Sequence, residues 1–151
     1  MNSNKSNLSK DQIDAVKLSI QQKKYDRALE LLNTISNKES NLDLVNRIRA
    51  SVYLYKKDWE KSLLYYQKID NKNNFNISNN MGVAFYKLGR FVEASAMFKE
   101  AISFNNKYIP AYENLSLTQK LLGNYELSIN WILQGLKPVS YTHLRAHETR
   151  G

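Results

Sequence analysis

Apolar residues in this chain recur at two spacings, one of a helical turn and one of a much longer unit. Large aromatics stand at Tyr25, Trp59, Phe91 and Tyr125, separated by 34, 32 and 34 residues. Three residues after each comes a small side chain: Ala28, Ser62, Ala94, Ser128. Four further on comes a bulky one: Leu32, Tyr66, Phe98, Ile132. Three more gives Ile35, Ile69, Ala101 and Gly135. Steps of three, four and three share one face of an α-helix. A second amphipathic stretch precedes each aromatic; 79–88 runs into Gly89, and 111–122 into Gly123. Glycine just past a periodic run stops a helix, because it adopts the left-handed conformation without a side-chain clash. Asp58 and Asn124 stand where the following helix needs an N-cap. Each period therefore predicts helix, tight turn, helix, with helices over 9–22, 25–36, 40–56, 59–70, 75–88, 91–104, 109–122 and 125–137. The polar segment 70–76 reads as an ordinary turn between periods in preference to a domain boundary.

The third period carries Gly82, Phe85, Leu88-Gly89, Phe91, Ala94, Phe98 and Ala101, and the fourth Leu115, Leu122-Gly123, Tyr125, Ser128 and Ile132. With these residues at this spacing the chain resembles the tetratricopeptide repeat family. Periods one and two depart from it: Lys23 and Lys57 replace the turn glycine, and period two is two residues short. Asn106 lies near the place of the family's usual proline. The resemblance implies an all-α fold, a right-handed superhelical solenoid of about four repeats over 9–40, 41–74, 75–108 and 109–138. Residues 1–8 are expected to be a disordered N-terminus. In such arrays each repeat touches only its neighbours.

The family binds peptides or helices in a concave groove lined by the first helix of each pair. The helix face opposite the packed one carries Lys17 and Gln21 in repeat one, and Arg47, Ser51 and Tyr55 in repeat two. Repeat three offers Asn76, Asn79, Val83, Tyr86 and Lys87, and repeat four Glu113, Leu117 and Lys120. Asparagine can donate to and accept from an extended backbone, tyrosine supplies contact area at small entropic cost, and Arg or Lys pairs with carboxylates. The family's clamp on a C-terminal peptide carboxylate is not expected, because its places hold Ile13, Lys17, Ser51, Asn76 and Asn80.

Composition excludes more than it adds. There is no Cys among the 151 residues, which removes disulfides, thiolate metal sites and Cys nucleophiles. Five Gly and two Pro argue against a turn-rich sandwich. Both histidines, His143 and His147, fall in 139–151, and Val139 to Thr149 resemble one reading frame of the adapter used in transposase-based sequencing libraries. That tail is therefore expected to be artefactual and unstructured. Without it the body holds no His, so a noncatalytic chain without cofactor or metal is expected. Carboxylate pairs remain, but Asp11 and Asp14 read as complementing a helix start, and Glu93 and Glu100 as a solvated face.

The net charge of +8 falls to +7 without the tail's Arg145, Arg150 and Glu148. The basic residues are spread, with 14 basic and 9 acidic over 1–74 and 6 and 4 over 75–138, so nucleic acid is a weaker expectation than protein. No apolar run approaches the ~20 residues of a membrane span, and the polar start at 1–10 lacks the apolar stretch of a secretion signal. The expected setting is cytoplasmic and bacterial, with this chain the N-terminal fragment of something longer. The expected partner is another protein, bound as peptide or helix. The alternatives are a docking segment of a larger enzyme and a chaperone for secreted proteins. Leu115, Leu122, Tyr125, Ile129, Trp131 and Ile132 raise the further expectation of self-association through an uncapped last repeat, with Trp131 as anchor.

Overall fold

The computed structural model describes the backbone of residues 10–35 and 39–148, and side chains over 10–35 and 41–137. The expectations for 1–8 and 149–151 lie outside the described residues. Among the described residues all regular structure is helical: α1 (Lys10–Gln21), α2 (Tyr25–Thr34), α3 (Glu39–Tyr55), α4 (Trp59–Gln67), α5 (Phe75–Lys87), α6 (Phe91–Phe104), α7 (Ile109–Leu121) and α8 (Tyr125–Glu148). The first seven follow the predicted spans, with ends shifted by up to three residues.

The tight turns explain the pairing. After α1, α3, α5 and α7 the chain closes with the same two hydrogen bonds. Gly89 N–H donates to Tyr86 C=O (3.0 Å) and Arg90 N–H to Phe85 C=O (2.9 Å). The equivalents are Gly123 to Lys120 and Asn124 to Gln119, Lys57 to Leu54 and Asp58 to Tyr53, and Lys23 to Ile20 and Lys24 to Ser19. This is the Schellman cap, which requires a left-handed residue after the helix. Gly89 (φ 75°) and Gly123 (φ 81°) supply it freely, whereas Lys23 (φ 57°) and Lys57 (φ 62°) adopt it against the steric preference of a residue with Cβ. The missing glycines therefore do not change the turn. Asp58 caps α4 as predicted, accepting from Lys61 N–H at 3.2 Å. Asn124 instead donates its amide to Gln119 Oε1 at 2.9 Å. Asn74 caps α5, accepting from Asn76 and Ile77 N–H.

The chain divides within segment 70–76 into two compact units, Met1–Asn71 and Lys72–Gly151. In the first unit α1 packs on α2, α2 on α3 and α3 on α4. Its core joins Val16, Ala28, Leu32, Ile35, Val45 and Val52. Ser62 is fully buried and donates to Ala50 C=O at 2.9 Å, so a hydroxyl can stand at the small-residue position. Asp43 accepts from the N–H groups of Asp70 and Asn71, tying the end of this unit to the start of α3. Tyr25 and Tyr55 stack, and Asp26 beside them holds the Lys56 ammonium above the ordinary lysine range by a hydrogen bond.

In the second unit α5 packs on α6, α6 on α7, α7 on α8, and α5 also meets α7. Ala94 and Ala101 are fully buried and Phe98 is 1% exposed, as the three–four–three spacing requires. Gly82 lies under Phe98 and Gly135 under Tyr112, so neither site has room for a Cβ without displacing a ring. Burial pushes the Tyr112 phenol up, and its hydroxyl donates to Asn106 C=O at 2.9 Å.

Two expectations change here. The last helix runs on to Glu148 instead of ending near 137, so 139–148 is helical and not unstructured. Extending an existing helix needs no new nucleus, and Leu144, Ala146 and Glu148 are good helix formers. Trp131 is half-buried with its ring 6.3 Å from that of Tyr112, whereas Ile129 is 58% exposed. Trp131 therefore packs α8 on α7, and Ile129 is the more exposed of the two.

Candidate functional site

The residues picked out for a groove separate into distinct situations. In the first unit Arg47 is exposed. Ser51 donates to Arg47 C=O at 3.0 Å and accepts from Tyr66 Oη at 3.0 Å, so its hydroxyl serves the α3–α4 contact. Tyr55 is 55% exposed, but one side of its ring is taken by Tyr25 at 6.0 Å between centroids. Lys17 and Gln21 are exposed on α1.

In the second unit the structure brings four of the candidates together. Val83, Tyr86 and Lys87 of α5, Leu117 and Asn114 of α7, and Phe98 of α6 line one cleft of about 160 Å³. Val83, Tyr86 and Lys87 share a helix face at three- and four-residue steps, and Asn114 and Leu117 do so at three. Because residue 82 is glycine, α5 lies close over Phe98 and the ring reaches the cleft floor. Tyr86 is held from the other side by the edge of Phe91, 5.5 Å away at 63°. The walls are thus apolar and aromatic, with the Asn114 amide and the Lys87 ammonium as polar groups. A space of this size takes one benzene-sized group.

Asn79 corrects the sequence reading. It is 5% exposed and its Oδ1 accepts from Asn114 Nδ2 at 3.1 Å. Buried polar groups must be paired, and α7 lies against α5 where this amide emerges. Asn79 therefore orients Asn114 instead of meeting a ligand. Asn76, Glu113 and Lys120 are exposed and do not line the cleft.

Asn114 and Phe98 are the cleft residues that the groove spacing missed. Asn114 stands 34 residues, one period, after Asn80, and that offset was the available signal. Phe98 reads as pure core filler, since nothing in the sequence shows that a glycine will uncover its edge.

Behind the cleft a polar chain crosses the α6–α7 contact: Gln119 Nε2 donates to Ser95 Oγ at 2.7 Å, and Gln119 Oε1 accepts from Asn124. Glu93 pairs with Arg90 on the exposed first turn of α6, and Glu100 accepts from Ser78 Oγ of α5 at 3.3 Å, so only Glu100 ties the helix pair together. Among the described residues no group of three or more His, Cys, Asp or Glu could hold a metal ion. Among them no helix is long and apolar enough to cross a membrane.

Comparison with known proteins agrees with this architecture. Residues 75–108 match the profile of the tetratricopeptide repeat. The structure is similar to that of MamA from MSR-1, with TM-score 0.73 and 22% identity over 84% of this chain and 74% of that one. It is similar to a second MamA crystal structure at TM-score 0.80 and 14% identity, over 92% and 82%. A third, residues 41 to the end of MamA from Desulfovibrio magneticus RS-1, gives 0.76 and 10%, over 83% and 72%. At these identities the likeness establishes the shared all-α repeat fold. No curated protein sequence matches the chain.

Proposed function

We propose, from the premise that residues 75–108 form a tetratricopeptide repeat, that the chain is a noncatalytic protein-binding module. Its ligand is a peptide or short helix of another protein, seated in the cleft between α5 and α7. The observation that carries this reading is the convergence of Val83, Tyr86, Lys87 and Leu117 with Asn114 and Phe98 around one cleft. An apolar or aromatic side chain of the partner fills the space over Phe98. The Asn114 amide, oriented by Asn79, meets the partner's backbone. Lys87 favours a carboxylate next to the buried side chain.

The test is selection of peptides from a displayed random library on the whole chain, followed by fluorescence anisotropy with the selected peptides. Leu117→Arg and Val83→Arg place a charge in the apolar wall. Such hot-spot changes typically remove ~2 kcal/mol or more, or about 30-fold in affinity. The exposed Glu126→Gln serves as control. Peptides that bind both arginine variants as tightly as the unaltered chain rule out this cleft.

A further inference from the structure

The first unit carries a second surface that the cleft does not use. Tyr53 of α3 and Tyr65 of α4 stack with centroids 5.5 Å apart and planes within 6°. Three cations are mounted on this pair. Lys61 Nζ lies 5.5 Å from the Tyr53 centroid, Arg49 Cζ 5.2 Å and Lys68 Nζ 4.9 Å from that of Tyr65. Arg49 is held further by Asn33 of α2, whose Oδ1 accepts from it at 3.0 Å. Lys61 also meets Asp58 at 3.4 Å, but among the described residues no carboxylate pairs with Arg49 or Lys68.

The repeat supplies its own control. One period on, with Trp59 matching Phe91 at 32 residues, the places of Arg49, Tyr53, Lys61, Tyr65 and Lys68 hold Met81, Phe85, Glu93, Met97 and Glu100. The same helix pair forms there with apolar side chains and with the opposite charge at two positions. The repeat fold therefore does not require three cations on stacked tyrosines.

We propose that this face of α3 and α4 binds an acidic segment of a partner protein, through Arg49, Lys61 and Lys68. Long cationic side chains laid on aromatic faces lose part of their freedom before any ligand arrives. Arg49, fixed by Asn33 and Tyr65, presents a planar fork suited to a carboxylate. A nucleic-acid strand is the weaker fit. Base stacking needs an open aromatic face, and here the rings face each other and carry cations.

The probe is a capped, fluorescein-labelled hexaglutamate peptide titrated with the whole chain at low ionic strength, followed by anisotropy. Saturable binding is expected, weakened about tenfold or more in Arg49→Gln/Lys68→Gln, an amount equal to ~1.4 kcal/mol. The pair Lys99→Gln/Lys107→Gln removes the same charge from exposed positions of the second unit and should bind nearly as the unaltered chain does. Arg49→Lys should fall between, because it keeps the charge and loses the fork. Lys68→Gln alone, at an exposed helix end, should weaken binding while keeping the fold, and circular dichroism checks each protein. The uncharged change Leu121→Gln, at an exposed position of α7, should leave hexaglutamate binding unchanged, which separates this surface from the second unit. Equal weakening in the two double variants would reduce the effect to net charge and overturn the proposal. So would an oligothymidylate that binds more tightly than the peptide and is lost in the same variants.

Discussion

Gly82→Ala sets two physical effects of opposite sign against each other. On helix propensity alone, replacing a glycine inside α5 by alanine should stabilise by ~1 kcal/mol. The structure opposes this. A Cβ at residue 82 would stand 2.5, 2.7 and 2.9 Å from Cε1, Cδ1 and Cζ of Phe98. Ordinary carbon contacts lie at ~3.5–4.0 Å, so the ring must retreat by roughly 1 Å. Phe98 is 1% exposed and close-packed except where it floors the cleft, so most directions of retreat are closed to it. Overpacking of this kind typically costs ~1–3 kcal/mol. The expected net effect is a loss of about 0–2 kcal/mol, read as an equal or lower urea midpoint at unchanged m-value. Phe98→Leu removes the ring atoms concerned, so the double variant should be more stable than the sum of the single changes predicts, with coupling of ~1–2 kcal/mol. Because Phe98 also floors the cleft, Gly82→Ala should weaken any peptide seated there. Stabilisation near 1 kcal/mol by Gly82→Ala, with additive behaviour in the double variant, would show that Phe98 does not press on α5 and would refute the reasoning.

Lys57→Gly and Lys23→Gly should each raise stability by ~0.5–1 kcal/mol, since relief of left-handed strain exceeds the entropy glycine adds to the unfolded chain; thermal melts showing no gain for either would mean the turns relax in solution. Ala94→Leu should cost ~1–3 kcal/mol, because the close α5–α6 contact leaves no room, while Glu93→Gln should stay within about 0.5 kcal/mol; equal melting temperatures would disprove the register. Trp131→Gln should lower the melting temperature by losing its packing on Tyr112, and Ile129→Gln should not; the reverse order would return Trp131 to the surface. Deleting 139–151 should lower the helical signal by no more than the removed residues' share and leave the melting temperature unchanged, whereas a large fall would show that the tail packs on the repeats.

What the sequence determined by itself is the local order. Helix faces repeat every three and four residues, and a buried small residue such as Ala28, Ser62 or Ala94 announces itself by recurring three places after an aromatic. Those rules act within a few turns of one chain segment, so pairs of helices and their turns were legible without coordinates. Val83, Tyr86, Lys87 and Leu117 were legible for the same reason, as positions left over when the packed face is subtracted. Only tertiary packing decided the rest. Whether Asn79 meets solvent or Asn114 depends on how α7 lies against α5, a contact 35 residues distant in the chain. That Lys23 and Lys57 bend into the left-handed region depends on helix packing on both sides of the turn, which outweighs a local preference of ~1–2 kcal/mol. The exchange of Trp131 for Ile129 as the exposed side chain, and the tyrosine pair under Arg49, Lys61 and Lys68, arise where two helices choose their rotation about each other. Periodicity identifies which residues share a face, but the angle at which that face meets its neighbour is fixed only when side chains from distant segments compete for the same volume.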